Sequence, residues 1–135
     1  MNDTLDTLAR ADADRLKAFA ETLIADLGEI EVLRSRSGLV MLPMRDTAKG
    51  VAFHLGEVLM SEAHIRQGDI DGYGMRRGHD LEASMAMALV DLAMATEIQT
   101  ENCIAFCTRE SEALAAQDAD TLRRVEATRV NMETF

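Results

Sequence analysis

The chain opens with apolar positions that return at helical intervals. Leu5, Leu8, Leu16, Phe19, Ala20, Leu23 and Leu27 recur three, four, and seven or eight residues apart, which places them on one stripe of an amphipathic helix running from Met1 to Gly28. Asn2 or Asp3 can accept from the free N–H groups of its first turn, and Gly28 stands where a helix stop is expected. The period then changes from helical to extended. Ile30 and Val32 with Leu33-Arg34-Ser35-Arg36 predict a first strand, Ser37-Gly38 a turn, and Leu39 to Arg45 a second strand. Pro43 cannot donate to a sheet ladder, so its strand lies at an edge, bulges or ends there. Asp46 to Gly50 is polar enough for a loop. A long third strand is predicted over Val51 to Arg66, a turn at Gln67-Gly68-Asp69, and a returning strand over Ile70 to Arg76.

The helical period resumes after Asp80, whose carboxylate suits an N-cap. Leu81, Met85, Ala88, Leu89, Leu92 and Thr96 share one face, while Ala83, Met87, Val90, Met94 and Ile98 cover another. A helix apolar on two faces lies between layers or meets a partner. A last helix, roughly Thr108 to Arg129, has only the thin seam Leu114, Leu122 and Val125 among many charges and gains stability by docking elsewhere. The reading is an α+β domain with an antiparallel sheet of about four strands, an N-terminal helix and two C-terminal helices packed on it.

Composition narrows what such a domain does. At 135 residues the chain is one domain, 1–135, because neither half would bury enough apolar surface alone. Aromatic residues are 4% with no Trp, whereas Met reaches 9, which suits an Ala/Leu/Met helical core or a surface that adapts to a partner. A formal net charge of −10 repels nucleic acid and anionic membranes at long range. No apolar run approaches a membrane span and no Arg-rich leader opens the chain, so a cytoplasmic protein is expected.

Few residues suggest chemistry. Cys103 and Cys107 lie one helical turn apart with no second pair or nearby His to complete a metal set, and are read as reduced, partly buried thiols. His54 and His64 share a strand parity, but ten residues of strand separate them by roughly 33 Å, too far for one metal. No bound metal is expected. Glu57 falls on the apolar face of its strand. Either Gly56 marks a bulge that turns it outward, or it is a buried, partnered carboxylate suited to act as a general base or to anchor an arginine. The junction Tyr73-Gly74-Met75-Arg76-Arg77-Gly78-His79-Asp80 enters a helix with two Arg and a His near free N–H groups, an arrangement suited to phosphate, although Asp80 as the cap competes for the same N–H groups. Its glycines match neither a Walker loop nor a dinucleotide fingerprint.

Three segments together resemble the G subunit (PhnG family) of the bacterial carbon–phosphorus lyase machinery. They are Gly38-Leu39-Val40-Met41 followed by Phe53-His54-Leu55-Gly56-Glu57-Val58, the junction Gly78-His79-Asp80 leading to Ala83 and Leu89-Val90-Asp91, and the tail Ala127-Thr128-Arg129-Val130. Order, spacing and length match over nearly the whole chain. His79 stands where the family usually has Arg, with Arg77 close by, and Asn131-Met132 replaces an aromatic pair after Thr-Arg-Val.

The resemblance implies a subunit present in two copies beside H, I and J types of subunit, in a complex that displaces the adenine of ATP with an alkylphosphonate to give ribose 1-phosphonate 5-triphosphate. ATP is then the complex's substrate, no cofactor belongs to this chain, and catalysis is attributed to the other subunits. The candidates for anion or partner contacts are Glu57, Arg77, His79, Asp80 and Arg129, with no catalytic residue assigned. The alternatives are an independent small-molecule or phosphate-ester site built from Glu57, Arg77, His79 and Asp80, and a homodimeric binding domain outside any enzyme complex.

Overall fold

The computed structural model describes residues 2–45 and 52–133. The polar loop expected at Asp46 to Gly50 lies outside them. In chain order the elements are α1 (Asn2–Arg10), α2 (Ala13–Leu27), β1 (Glu31–Arg45), β2 (Ala52–Gln67), β3 (Ile70–Arg77), α3 (Leu81–Ala95) and α4 (Thr100–Glu133). This is the expected α+β architecture, with three strands in the sheet, all antiparallel, in the order β1-β2-β3.

Two local expectations are corrected. The first helix is divided, because Asp12 accepts from the Arg15 N–H at 3.0 Å and starts a new helix. The apolar stripe still crosses the break, with Leu8, Leu16, Ala20, Leu23 and Leu27 all buried. Ser37-Gly38 does not turn. It continues β1 opposite Ser61 and Met60, so two predicted strands are one. The long β2 supplies a partner for every residue through this stretch, and cross-strand pairing overrides the local preference of Ser-Gly for a turn. Pro43 lies on an edge strand and beside a register shift, between Leu42 and Pro43, as its chemistry requires. Gly28 ends α2 with φ +76° and donates to the Ile24 carbonyl.

One face of the sheet receives α3. The helix comes close because β3 presents glycines on that face. A Cβ added at Gly72 would stand 2.6 Å from the Ala88 carbonyl oxygen, and one at Gly74 would stand 2.0 Å from that of Ser84. Ser61, Ala63 and Ile65 of β2 complete the floor. The opposite side of α3 packs on α2, and nine of its fifteen residues are buried. The two apolar faces read from sequence are thus both used inside the domain, between sheet and helix.

Beyond this body the chain extends in two places. β2 pairs with β3 only from Met60 to Gln67, so the stretch from Ala52 to Leu59 pairs with β1 alone as a two-stranded ribbon. The 34-residue α4 is about 51 Å long at 1.5 Å per residue. Its first part is anchored in the body. Cys103, Phe106 and Glu110 are buried, and Phe106 stacks on Phe19 with ring centroids 4.6 Å apart. Residues 121–128 are all exposed.

Candidate functional site

The junction between β3 and α3 is where the sequence placed an anion site, and its parts have separate duties. Asp80 is the N-cap of α3, accepting from the Ala83 N–H at 3.1 Å, and it also pairs with Lys17 of α2 at 2.7 Å. The Lys17 ammonium, then the backbone N–H, hold its carboxyl below the usual carboxylate range. The first-turn N–H groups that a phosphate would use are therefore shared with a carboxylate. Arg77 and His79 are exposed, and neither has a side-chain partner among the described residues.

Arg76 was half of the arginine pair read at this junction, and it turns inward. Its guanidinium donates to the Leu8 and Ala11 carbonyls and so finishes the C-terminal end of α1. It has no ion-pair partner among the described residues, and partial burial pulls its pKa down. Arg10 at the end of α1 makes a two-pronged contact with Asp118 of α4, at 2.9 and 3.3 Å. Together Arg10, Arg76 and Arg77, with Gln117 of α4, line an open groove of about 560 Å³ floored by Met60 and Met75. Three arginines share this one concavity. Sequence reasoning found Arg76 and Arg77 but not Arg10 or Gln117, because nothing local announces that α1 and α4 meet beside the end of β3.

The other candidates do not converge there. Glu57 pairs with Met41 and keeps the face of Leu59, Ser61 and Ala63, yet it is exposed. The register is unbroken from Glu57 to His64, and the irregularity lies one step further on, where Leu42 faces Gly56 and Pro43 faces His54. Glu57 is exposed because β3 stops opposite Met60 and no element of the described residues covers the sheet beyond it. It stands about 10 Å along β2 from Met60, three residues at 3.3 Å each. Residue 129 lies in α4, twelve residues past Gln117 and so about 18 Å further along the helix axis.

The remaining groups are quiet chemically. Burial pushes the Cys103 thiol up to about 11, and raises Cys107 as well, which keeps both protonated at neutral pH and poor as nucleophiles. His64 stacks on Tyr73, centroids 4.2 Å apart, with Asp71 at 3.6 Å, and Asp71 is held low by Arg66. Among the described residues no group of three His, Cys, Asp or Glu side chains is placed to hold a metal ion, and no helix is long and apolar enough to cross a membrane. Of the groove's three guanidiniums, Arg10 is paired with Asp118 and Arg76 is bonded to the Leu8 and Ala11 carbonyls, so Arg77 is the one without a partner among the described residues. None of the groove's lining residues is an activated nucleophile.

Comparison with curated proteins returns no match. The family described as phosphonate metabolism protein PhnG matches residues 2–135, essentially the whole chain. That span takes in the ribbon, the β3–α3 junction and α4, and on it the chain belongs to the PhnG family of phosphonate metabolism proteins.

Proposed function

We propose that this chain is an accessory subunit of a carbon–phosphorus lyase core complex, cytoplasmic, assembled with H-, I- and J-type subunits. In that reading the complex transfers the ribose triphosphate moiety of ATP to an alkylphosphonate with loss of adenine, the activity of an alpha-D-ribose 1-methylphosphonate 5-triphosphate synthase. The chain contributes structure and binds no cofactor of its own. The observation that carries this is the pairing of a finished core with unfinished extensions. The ribbon exposes Leu39 and Val40, and the far part of α4 exposes Leu122 and Val125, while no residue of the described surface is set up as nucleophile. Leu39 lies opposite the exposed Leu59 across the ribbon, and Leu122 and Val125 are one helical turn apart, so each set is contiguous, the kind of apolar patch that other chains cover.

The test is reconstitution. Adenine release from ATP in the presence of methylphosphonate is measured for the H, I and J subunits with and without this chain, and for this chain alone. The expected result is release only when all are present. Adenine release by the lone chain, or undiminished release without it, would overturn the proposal.

The arginine-lined groove favours a second reading, an independent phosphate-ester binding domain. Calorimetric titration of the lone chain with ATP or ribose 5-phosphate separates the two, since only the second reading predicts saturable binding without partners.

A further inference from the structure

The sheet has two edge strands, and they are finished differently. On β3 the outward N–H of Tyr73 donates to Asp91 Oδ2 at 2.9 Å, and that of Met75 donates to Met87 Sδ at 3.3 Å. Side chains of α3 thus occupy the edge where another strand would add. Asp91 is half buried in doing so, and burial raises its pKa. Along β1 no such cover exists among the described residues. Every residue from Glu31 to Val40 is exposed, and β2 is its one strand neighbour.

The free groups can be named. Antiparallel pairing alternates pairs bonded across the ladder with pairs whose backbone groups face away. Because Tyr73 and Met75 send their N–H groups outward, the bonded pairs between β2 and β3 are Gly72 with Ile65, Gly74 with Ala63 and Arg76 with Ser61. The Leu59 carbonyl accepting from the Gly78 N–H at 2.8 Å keeps the same phase. Even-numbered residues of β2 therefore face β1. Through the register, Arg34, Arg36, Gly38, Val40 and Leu42 bond inward, while Ser35, Ser37, Leu39 and Met41 present N–H and C=O groups to the open edge. Register shifts at Leu33 and at Pro43 bound this regular stretch on both sides.

Charge along the same strip selects the occupant. Arg34 and Arg36, both well exposed, share Glu62 as their one ion-pair partner among the described residues, and the other acid of β1, Glu31, stands at the start of the strand beyond the register shift, so next to the open stretch one guanidinium lacks a carboxylate of its own. A second copy paired antiparallel over Ser35 to Met41 would set position 40 opposite Arg36 and position 42 opposite Arg34, a valine and a leucine, and so would bring no carboxylate to either arginine. A foreign strand with an acidic side chain beside Arg34 or Arg36 would supply one.

We infer that the open edge of β1, Ser35 to Met41, is a strand-addition site that takes an extended, acid-bearing segment of another subunit and extends the sheet to a fourth strand. This rests on the proposed membership of a hetero-oligomeric complex and names the contact within it. The site is made of backbone groups, so affinity comes from main-chain hydrogen bonds, and Arg34 and Arg36 set which strand fits.

Hydrogen exchange on the co-purified complex and on the isolated chain tests it. In the complex the amides of Ser35, Ser37, Leu39 and Met41 should slow at least tenfold, while those of Arg36 and Val40 should already be slow in the isolated chain. Leu39→Pro removes one outward donor without touching the ladder to β2 and should weaken assembly at least tenfold, whereas Leu39→Ala should not. Arg34→Glu, which changes only an exposed side chain, should also weaken it, and guards against a folding defect in the proline variant. Unchanged exchange at all four amides in a fully assembled complex overturns strand addition while leaving membership intact. Protection of the four amides in a dimer of the isolated chain overturns the foreign occupant. Failure of the wild-type chain to assemble at all overturns the membership on which the inference rests.

Discussion

The covered end of the sheet and the ribbon beyond Met60 are built from the same β2 strand by opposite rules. At the covered end small residues face the helix, with Gly72, Gly74, Ala63 and Ser61 letting α3 approach to backbone contact. Polar atoms on the face toward α3 find partners there: the Ser61 hydroxyl meets that of Ser84 and the Arg76 carbonyl, and Arg76 caps α1. In the ribbon the described side chains are larger, such as Leu39 and Leu59, and they face water. A two-stranded ribbon is marginal by itself in water. The difference teaches where stability resides and where the proposed partner would bind. The first region should be sensitive to mutation in the lone chain, and the second only in the assembly.

The largest effect is expected at Gly74. Gly74→Ala places a methyl group 2.0 Å from the Ser84 carbonyl oxygen, which forces α3 off the sheet. A loss of about 3 kcal/mol in urea unfolding is expected, at the upper end of overpacking costs, with Gly72→Ala milder because its nearest atom is 2.6 Å away. Equal stability of the Gly74 variant would break the comparison at its firmer side.

Next comes Asp80→Ala, which removes the cap of α3 and the partner of Lys17 and should cost ~1 kcal/mol. The pH dependence has a definite sign. The folded-state pKa of Asp80 is depressed, so its contribution is complete above the unfolded carboxylate value near about 3.9 and is lost as pH falls through the lower folded value. Thermal melts from pH 6 down to 2 should therefore show a steeper acid decline in wild type than in the Asp80→Ala variant.

Asp91 has the reverse sign and a smaller effect. Its folded pKa is raised by burial, so its favourable contribution belongs to the protonated form and is lost as pH rises through that folded value. Asp91→Asn keeps an acceptor for the Tyr73 N–H without the desolvated charge. At pH 7 the variant should melt at or above the wild-type temperature. A clearly lower melting point would mean that the ionised carboxylate is needed at the β3 edge.

The smallest effect on the lone chain is expected at the far part of α4. Leu122→Ser with Val125→Ser alters side chains that are 62% and 57% exposed, and each change should shift unfolding by no more than about 0.5 kcal/mol. The same pair should weaken co-purification with the lyase subunits. A large destabilisation of the isolated chain would show that the helix end is covered from within.

Much of the body was legible in the chain because the signals are local. Asp80 as a cap, Gly28 as a stop, the turn at Gln67-Gly68-Asp69 and the edge position of Pro43 each follow from one residue's stereochemistry. The break at Asp12 was hidden by the stripe itself, since Leu8 and Leu16 are spaced as one uninterrupted helix would space them. The turn read at Ser37-Gly38 failed because a partner strand far along the chain governs that stretch. For the candidate site the limits are similar. Arg77 and Asp80 were readable as neighbours in sequence, but the Arg10 side of the groove depends on α1 and α4 meeting, and the exposure of Glu57 depends on where β3 ends. Pairing distance, not residue type, decided what could be seen.

Native mass spectrometry of the co-expressed subunits tests the central claim most directly. Two copies of this chain bound with the H-, I- and J-type subunits in one stable particle is the predicted spectrum. Contradiction would come from an H, I and J particle that forms and persists with this chain free beside it.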